Sequence, residues 1–230
     1  MKIDIITIFP NLFDNFLNES LIARAQKKKL VRITAHDLRK WTKDNHKTVD
    51  GKPYGGGAGM VLMVNPIMKA VNKLKSKKKK IRVISMSAKG KTFNQAMARK
   101  WSKFDQLIFI CGRYEGIDER VNKYVADEEI SIGNYVLFGG EIPAMVITEA
   151  VTRLIPGSIG KQESLKDESF NVTGTVQKQL SEFLEYPHYT RPETIEINGK
   201  KRHVPKVLLS GNHKEVEKWR KKQSKIAKKI

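Results

Sequence analysis

Three short segments put glycine or small residues beside polar ones, each directly after an apolar run: Ser85-Met86-Ser87-Ala88, Cys111-Gly112-Arg113-Tyr114-Glu115-Gly116 and Leu137-Phe138-Gly139-Gly140-Glu141. In an open parallel sheet, ligands bind in the crevice beyond the carboxyl ends of the strands. Glycine there permits positive φ and lets a ligand approach the backbone closely. Any one of these segments is an ordinary strand-to-helix turn; three together point to a small-molecule site. No G-x-G-x-x-G and no G-x-x-x-x-G-K-[ST] occurs, so the common phosphate-binding routes have no support. The histidines are scattered without zinc spacing, and Cys111 is the only cysteine, which excludes an intramolecular disulfide and a cysteine metal cluster. What remains is a ligand without phosphates, held by backbone groups and apolar walls. A fourth segment, Tyr54 to Gly59, holds Gly55, Gly56, Gly57 and Gly59. It reads as a loop that closes over a substrate, as a phosphate nest, or as a plain connector, and alone it favours the connector.

The elements that would position these segments follow from periodicity. Met1 to Phe9 alternates with β-branched residues and reads as a strand closed by Pro10. Leu12 to Lys29 has apolar residues at helical spacing and a basic last turn that suits the helix dipole. Val31 to Ala35 is a short strand, His36 to Gly59 a long loop, and Asn65 to Lys80 a helix with a charged tail. Strands are expected over Ile81–Ser85, Gln106–Cys111 and Glu129–Phe138, with helices over Asn94–Lys100 and Ile142–Leu154, the latter stopped by Pro156-Gly157. Strands alternating with helices imply an α/β domain with a largely parallel sheet. The texture changes after Gly157. The expected organisation is an α/β domain over residues 1–157, a flexible linker over 158–179, and a small C-terminal domain over 180–230 whose end is strongly basic.

The charge balance limits the partners. Across 230 residues, 44 Lys and Arg stand against 24 Asp and Glu, a formal charge of +20. Like charges repel in the compact state, so such an excess suits a polyanionic partner: nucleic acid or an anionic membrane surface. A lysine-rich source proteome gives the same excess, and Lys77 to Lys80 fits that reading. The basic tail has too few large apolar residues to anchor in a membrane. No run reaches the ~20 apolar residues of a membrane helix, and Met1 to Pro10 lacks the pattern of a signal peptide. The expectation is a soluble, cytoplasmic protein.

The stretches PYGGGAGM (Pro53 to Met60), CGRYEGIDERV (Cys111 to Val121), SIGNYVLFGGEIPAMVITEAVTRLIPG (Ser131 to Gly157) and YPHYTRP (Tyr186 to Pro192) occur in this order over nearly the whole chain. Together they resemble the bacterial tRNA (guanine-N1)-methyltransferases, which modify the guanine immediately 3′ of the anticodon. The resemblance implies a SpoU–TrmD (SPOUT) fold, an α/β domain with a trefoil-knotted cofactor site. It also implies an obligate homodimer with its site between subunits, and a small helical C-terminal domain that grips tRNA. S-adenosylmethionine would be the methyl donor. A dependence on magnesium is known of the family, and no dedicated carboxylate cage for it is visible.

Carried over by position, the resemblance assigns the donor pocket to Met86, Ser87, Gly112, Tyr114, Glu115, Ile132, Gly133, Asn134, Tyr135, Val136, Leu137, Gly139 and Gly140. It assigns RNA contacts to Asp50, Gly55, Gly56, Gly57 and Gly59. The catalytic arginine falls on Arg153. The family's catalytic aspartate, two residues before a phenylalanine, falls on Glu168, with Asp167 adjacent as the alternative. A second departure is Gly51, where the family usually has another aspartate. By themselves, Arg153 reads as a cation at a helix C-terminus and Glu168 as a solvated linker charge. The implied chemistry fits these residue types. Guanine N1 carries a proton and no free in-plane lone pair, so a carboxylate must take that proton as the new bond forms, worth about 10²–10⁴-fold. Charge then grows on O6, where a guanidinium stabilises it. Lys221, Lys222 and Lys225 in the basic tail are candidates for neutralising RNA phosphates. Other readings are an RNA methyltransferase of the same scaffold acting on ribosomal RNA or ribose, and a non-enzymatic RNA-binding protein. The latter leaves the three loop segments unexplained.

Overall fold

The strand Gln106–Cys111 (β6) is buried along its whole length, which is why QLIFIC is almost continuously apolar rather than alternating. It forms one sheet with β1 (Lys2–Thr7), β2 (Arg32–Asp37), β5 (Ile81–Thr92) and β7 (Glu128–Ser131). The order is β2-β1-β6-β5-β7, with β6 at the centre, and every pairing is parallel. The computed structural model describes residues 1–77, 80–159, 168–173 and 181–226. The chain divides into two compact units, Met1–Gly160 and Lys161–Ile230.

In the first unit the strand alternation feeds two cores. Ile3, Ile5, Ile84, Met86, Leu107 and Phe109 pack with α2 (Ser20–Lys27), α4 (Gln95–Trp101) and α6 (Glu141–Thr152) on one face. Ile6, Val83, Ile108 and Ile110 pack with α3 (Val64–Leu74) and α5 (Glu119–Tyr124) on the other. Asp4 interrupts the apolar pattern of β1. Its buried carboxylate accepts hydrogen bonds from His36 Nε2 at 2.8 Å, Gln106 Nε2 at 2.6 Å and Lys2 Nζ at 3.0 Å. Burial pushes this carboxyl's pKa up, but the three donors outweigh burial and hold it below the usual value.

Several elements differ from expectation for local reasons. The long helix expected over Leu12–Lys29 is a 3-10 turn (Pro10–Phe13), α1 (Asp14–Asn18) and α2, because Glu19 is extended and Ser20 takes φ 54°. The strand expected over Glu129–Phe138 stops at Ser131, whose Oγ accepts from the Gly133 amide at 3.1 Å and turns the chain out of the sheet. Strand β5 runs past Met86, with a register shift before Lys91. Within that shift, a side chain on Gly90 would lie 2.5 Å from the Ile130 backbone nitrogen. Helix α5, in a stretch to which the sequence pattern assigned no element, is capped by Asp118, which accepts from the Arg120 amide. The glycine-rich loop contains a two-residue ladder of β3 (Asp50–Gly51) against β4 (Val61–Leu62).

The second unit is mixed rather than helical. It holds a three-stranded antiparallel sheet of β8 (Asn171–Thr173), β9 (Ser181–Leu184) and β12 (Lys225–Ile226), and a hairpin of β10 (Thr194–Ile197) and β11 (Lys200–His203). Helices α7 (Lys206–Leu209) and α8 (His213–Gln223) complete it. β8 falls within the stretch expected as linker. Strands of two to four residues are too short to show a clear alternation, so the basic charge dominates the pattern of this segment. Among the described residues, no helix is long and apolar enough to cross a membrane.

Candidate active site

The three segments converge around one cleft of about 400 Å³: Ser85–Ala88 within β5, where its register against β7 shifts, residues 112–116 beyond the carboxyl end of β6, and residues 137–140 between β7 and α6. Met86, Ser87, Gly112, Tyr114, Glu115, Ile132, Gly133, Tyr135, Val136, Leu137, Gly139 and Gly140 all line it. Asn134 is the one residue assigned to the pocket that does not. The parallel register explains the convergence. Met86 pairs with Cys111, the last residue of β6, and with Ile130 in β7, so the middle of β5 lies level with the carboxyl ends of its two neighbours. Apolar walls come from Met86, Ile130, Ile132, Leu137 and Pro143.

Backbone contacts hold the loops. The Gly140 amide donates to the Gly112 carbonyl oxygen at 2.9 Å. A Cβ on Gly140 would lie 2.7 Å from Cys111 Cα and 2.9 Å from Met86 Cβ. The position a Cβ would take at Gly140 is thus filled by neighbouring protein atoms, while Gly140 itself lines the cleft. Tyr114 is a non-glycine residue with φ 60°, a conformation costing of order 1 kcal/mol. It turns the loop so that Gly116 N can donate to the Arg113 carbonyl at 3.1 Å.

The glycine-rich loop joins this framework at its end. Glu115 N donates to the Met60 carbonyl at 3.0 Å, and Leu62 N to that of Gly116 at 3.0 Å. Gly59 has φ +79°, and a Cβ there would collide with the Glu115 side chain at 2.5 Å. Gly55, Gly56 and Gly57 also have positive φ and are exposed, whereas Asp50 is half-buried in β3. The loop is thus anchored on the cleft by Gly59 and Met60, while its tip stands in solvent.

Two residues join the site that the sequence patterns did not single out. Arg113 lines the cleft, and its Nε donates to Glu141 Oε2 at 2.8 Å. Glu141 is buried at the first position of α6. Both stand next to glycines in two recognisable segments, which is the one signal that marks them.

The proposed catalytic groups belong to different units. Arg153 is half-buried and forms the C-cap of α6, following Thr152. Glu168 is half-buried in the second unit, two residues before Phe170, which has φ 63°. Asp167 lies outside the described residues. Lys221 Nζ is 2.7 Å from Glu217 Oε1 within α8, and that ammonium lowers the Glu217 carboxyl's pKa. Lys222 is exposed at the end of α8, and Lys225 pairs through its backbone with Leu184. Among the described residues, no three His, Cys, Asp or Glu side chains gather as a metal site.

A largely parallel α/β unit with a glycine-walled cleft at the carboxyl edge defines a small-molecule-binding enzyme scaffold. A family model described as tRNA (Guanine-1)-methyltransferase TrmD matches residues 1–229, and the chain belongs to that family. It is 51% identical to a tRNA (guanine-N(1)-)-methyltransferase of Carboxydothermus hydrogenoformans, over 97% of this chain and 83% of that protein. A protein of the same description from Ruminiclostridium cellulolyticum is 49% identical over 97% of this chain and 91% of its own length. One from Dictyoglomus turgidum is 50% identical over 97% and 85%.

Proposed function

We propose that this chain transfers a methyl group from S-adenosylmethionine to N1 of the guanine immediately 3′ of the anticodon in tRNA. The observation that carries this reading is the gathering of three loops at the cleft of a chain belonging to the family. The cleft also fits the donor. Its volume lies within the range of small-ligand pockets, its walls are apolar, and its loops are rich in backbone groups free of phosphate-binding motifs. Gly112, Tyr114, Ile132 and Leu137 would hold the adenosyl and methionyl parts. When bound, S-adenosylmethionine supplies the electrophilic methyl group.

The chain's own groups supply the rest. Glu168 takes the N1 proton through a carboxylate oxygen, with Asp167 as the adjacent alternative, as N1 attacks. Arg153 directs its guanidinium to O6, where negative charge grows. Asp50 and the Gly55–Gly59 loop contact the RNA. No step is assigned to magnesium.

The reading includes the family's trefoil knot. It also includes a homodimer sharing the site. Ile142, Val146, Glu149 and Arg153 follow one another at helical spacing on α6, and the first two are exposed apolar residues. Phe138, 96% exposed, stands beside them in sequence. A helix face that is apolar at Ile142 and Val146 and ends on Glu149 and Arg153 suits a subunit seam that carries a catalytic cation.

The test is methyl transfer to unmodified tRNA transcripts with and without that guanine, followed by digestion to nucleosides. 1-Methylguanosine only from the guanine-bearing transcript is expected. A 2′-O-methyl nucleoside, or no product, would overturn the reading.

A further inference from the structure

Both carboxylate oxygens of the buried Glu141 are occupied. Oε1 accepts from Thr7 Oγ1 at 2.7 Å, at the end of β1, and Oε2 accepts from Arg113 Nε at 2.8 Å, just after β6. Thr7 Oγ1 in turn accepts from the Phe9 amide at 2.9 Å. The Arg113 guanidinium lies 4.8 Å from the Phe9 ring centroid, and its Nη1 is 3.5 Å from the Phe138 carbonyl oxygen. These contacts tie together the end of β1, the loop after β6 and the loop before α6. Gly139 leaves the space they fill, since a Cβ there would run into both the Arg113 and Glu141 side chains.

We propose that Arg113 and Glu141 are positioning residues for the methyl donor. The pair fixes the spacing of the 112–116 loop from the 137–140 loop, both of which line the cleft. Glu141 is buried and does not line the cleft, and each of its oxygens already accepts from a protein donor, so it acts through the loops. The pair also fixes the start of α6, a rod of about 18 Å that ends at Arg153. This inference rests on the donor reading of the cleft.

A purely structural pair makes a different forecast, and the difference is measurable. Removing one partner strands a buried charge and destabilises the fold, whereas removing both leaves no uncompensated charge. The full-length chain and its Arg113→Gln, Glu141→Gln and doubly substituted forms are compared by thermal unfolding and by calorimetric titration with S-adenosylmethionine. Each single variant loses both Tm and donor affinity. The double variant regains most of the lost Tm but still binds the donor about 10- to 100-fold more weakly than the unmodified chain, the scale on which small misplacements act. Donor affinity that returns together with Tm would overturn the positioning role alone. A failure of the unmodified chain to bind the donor would overturn the donor reading and the positioning role with it. Should the double variant not fold, Arg113→Lys decides. It keeps the charge but not the planar fork, so the donor KM rises about tenfold or more while kcat changes much less. An unchanged donor KM in that variant would overturn the proposal.

Discussion

The Gly140 amide and the Gly112 carbonyl oxygen, 2.9 Å apart, join the loop before α6 to the loop after β6. A methyl group at residue 140 has Cys111 Cα and Gly112 N within 3.0 Å. Backbone atoms cannot swing aside as a flexible side-chain end does.

Gly140→Ala should therefore separate the two loops. We expect donor affinity to fall at least tenfold, together with a loss of stability of about 1–3 kcal/mol, the usual range for overpacking. Calorimetry with S-adenosylmethionine and denaturant unfolding read the two effects. A donor constant that worsens while stability stays unchanged would mean that the glycine faces the ligand instead of Cys111.

Glu168→Gln should preserve the fold and donor binding and lower turnover by about 10²–10⁴-fold, because the amide cannot accept the N1 proton. Single-turnover methyl transfer at saturating tRNA measures this. If Glu168→Gln turns over normally and Asp167→Asn does not, the base is one residue earlier.

Asp4 sets an acid limit on the first unit. Its folded pKa is lowered by His36, Gln106 and Lys2 despite burial. The resulting stability is fully present above the unfolded carboxyl pKa of about 3.9. It is lost as pH falls through the lower folded value. Asp4→Asn should cost about 1–3 kcal/mol at neutral pH through weakened buried hydrogen bonds, and should flatten the decline in stability below about pH 4. Denaturant midpoints across acid pH check it. Parallel acid declines in both proteins would show that other carboxyls dominate.

How much was legible depends on whether the signal was local. The Gln106–Cys111 strand was readable to the residue, because burial on both faces leaves an uninterrupted apolar run. Helix α6 was readable from Ile142 to Val151, and the glycines marked the loops that line the cleft. Tyr135 to Phe138 looked like a strand because it is apolar, but these side chains form an exposed lip. Helix α5 is short and polar, so no apolar periodicity marked it. The pairing of Arg113 with Glu141 spans 28 positions. Two loops meeting at a sheet edge produce it, and no spacing rule in the sequence could.

The basic C-terminal segment gives the last prediction. Of the α8 cations, Lys218 pairs with Glu215 at 2.8 Å and Lys221 with Glu217 at 2.7 Å, while the Arg220 guanidinium sits 4.8 Å from the Tyr186 ring centroid. Exposed pairs of this kind are worth about 0–1 kcal/mol, so a phosphate can draw Lys221 away at small cost. Lys222 is exposed in the same last turn. Phosphate contacts release counterions and set affinity without reading bases. Changing Lys221, Lys222 and Lys225 to Gln should thus weaken tRNA binding and flatten the log-affinity versus log-salt line. The expected change is roughly 0.7–0.9 in slope for each phosphate no longer neutralised, and Lys221 should contribute less than Lys222 because it must leave Glu217. Donor affinity should stay the same, and turnover at saturating tRNA should fall much less than affinity. Binding titrations at several salt concentrations compare the two proteins. Superimposable lines would mean that this helix end is only a solvated face, and that the +20 charge acts through other lysines.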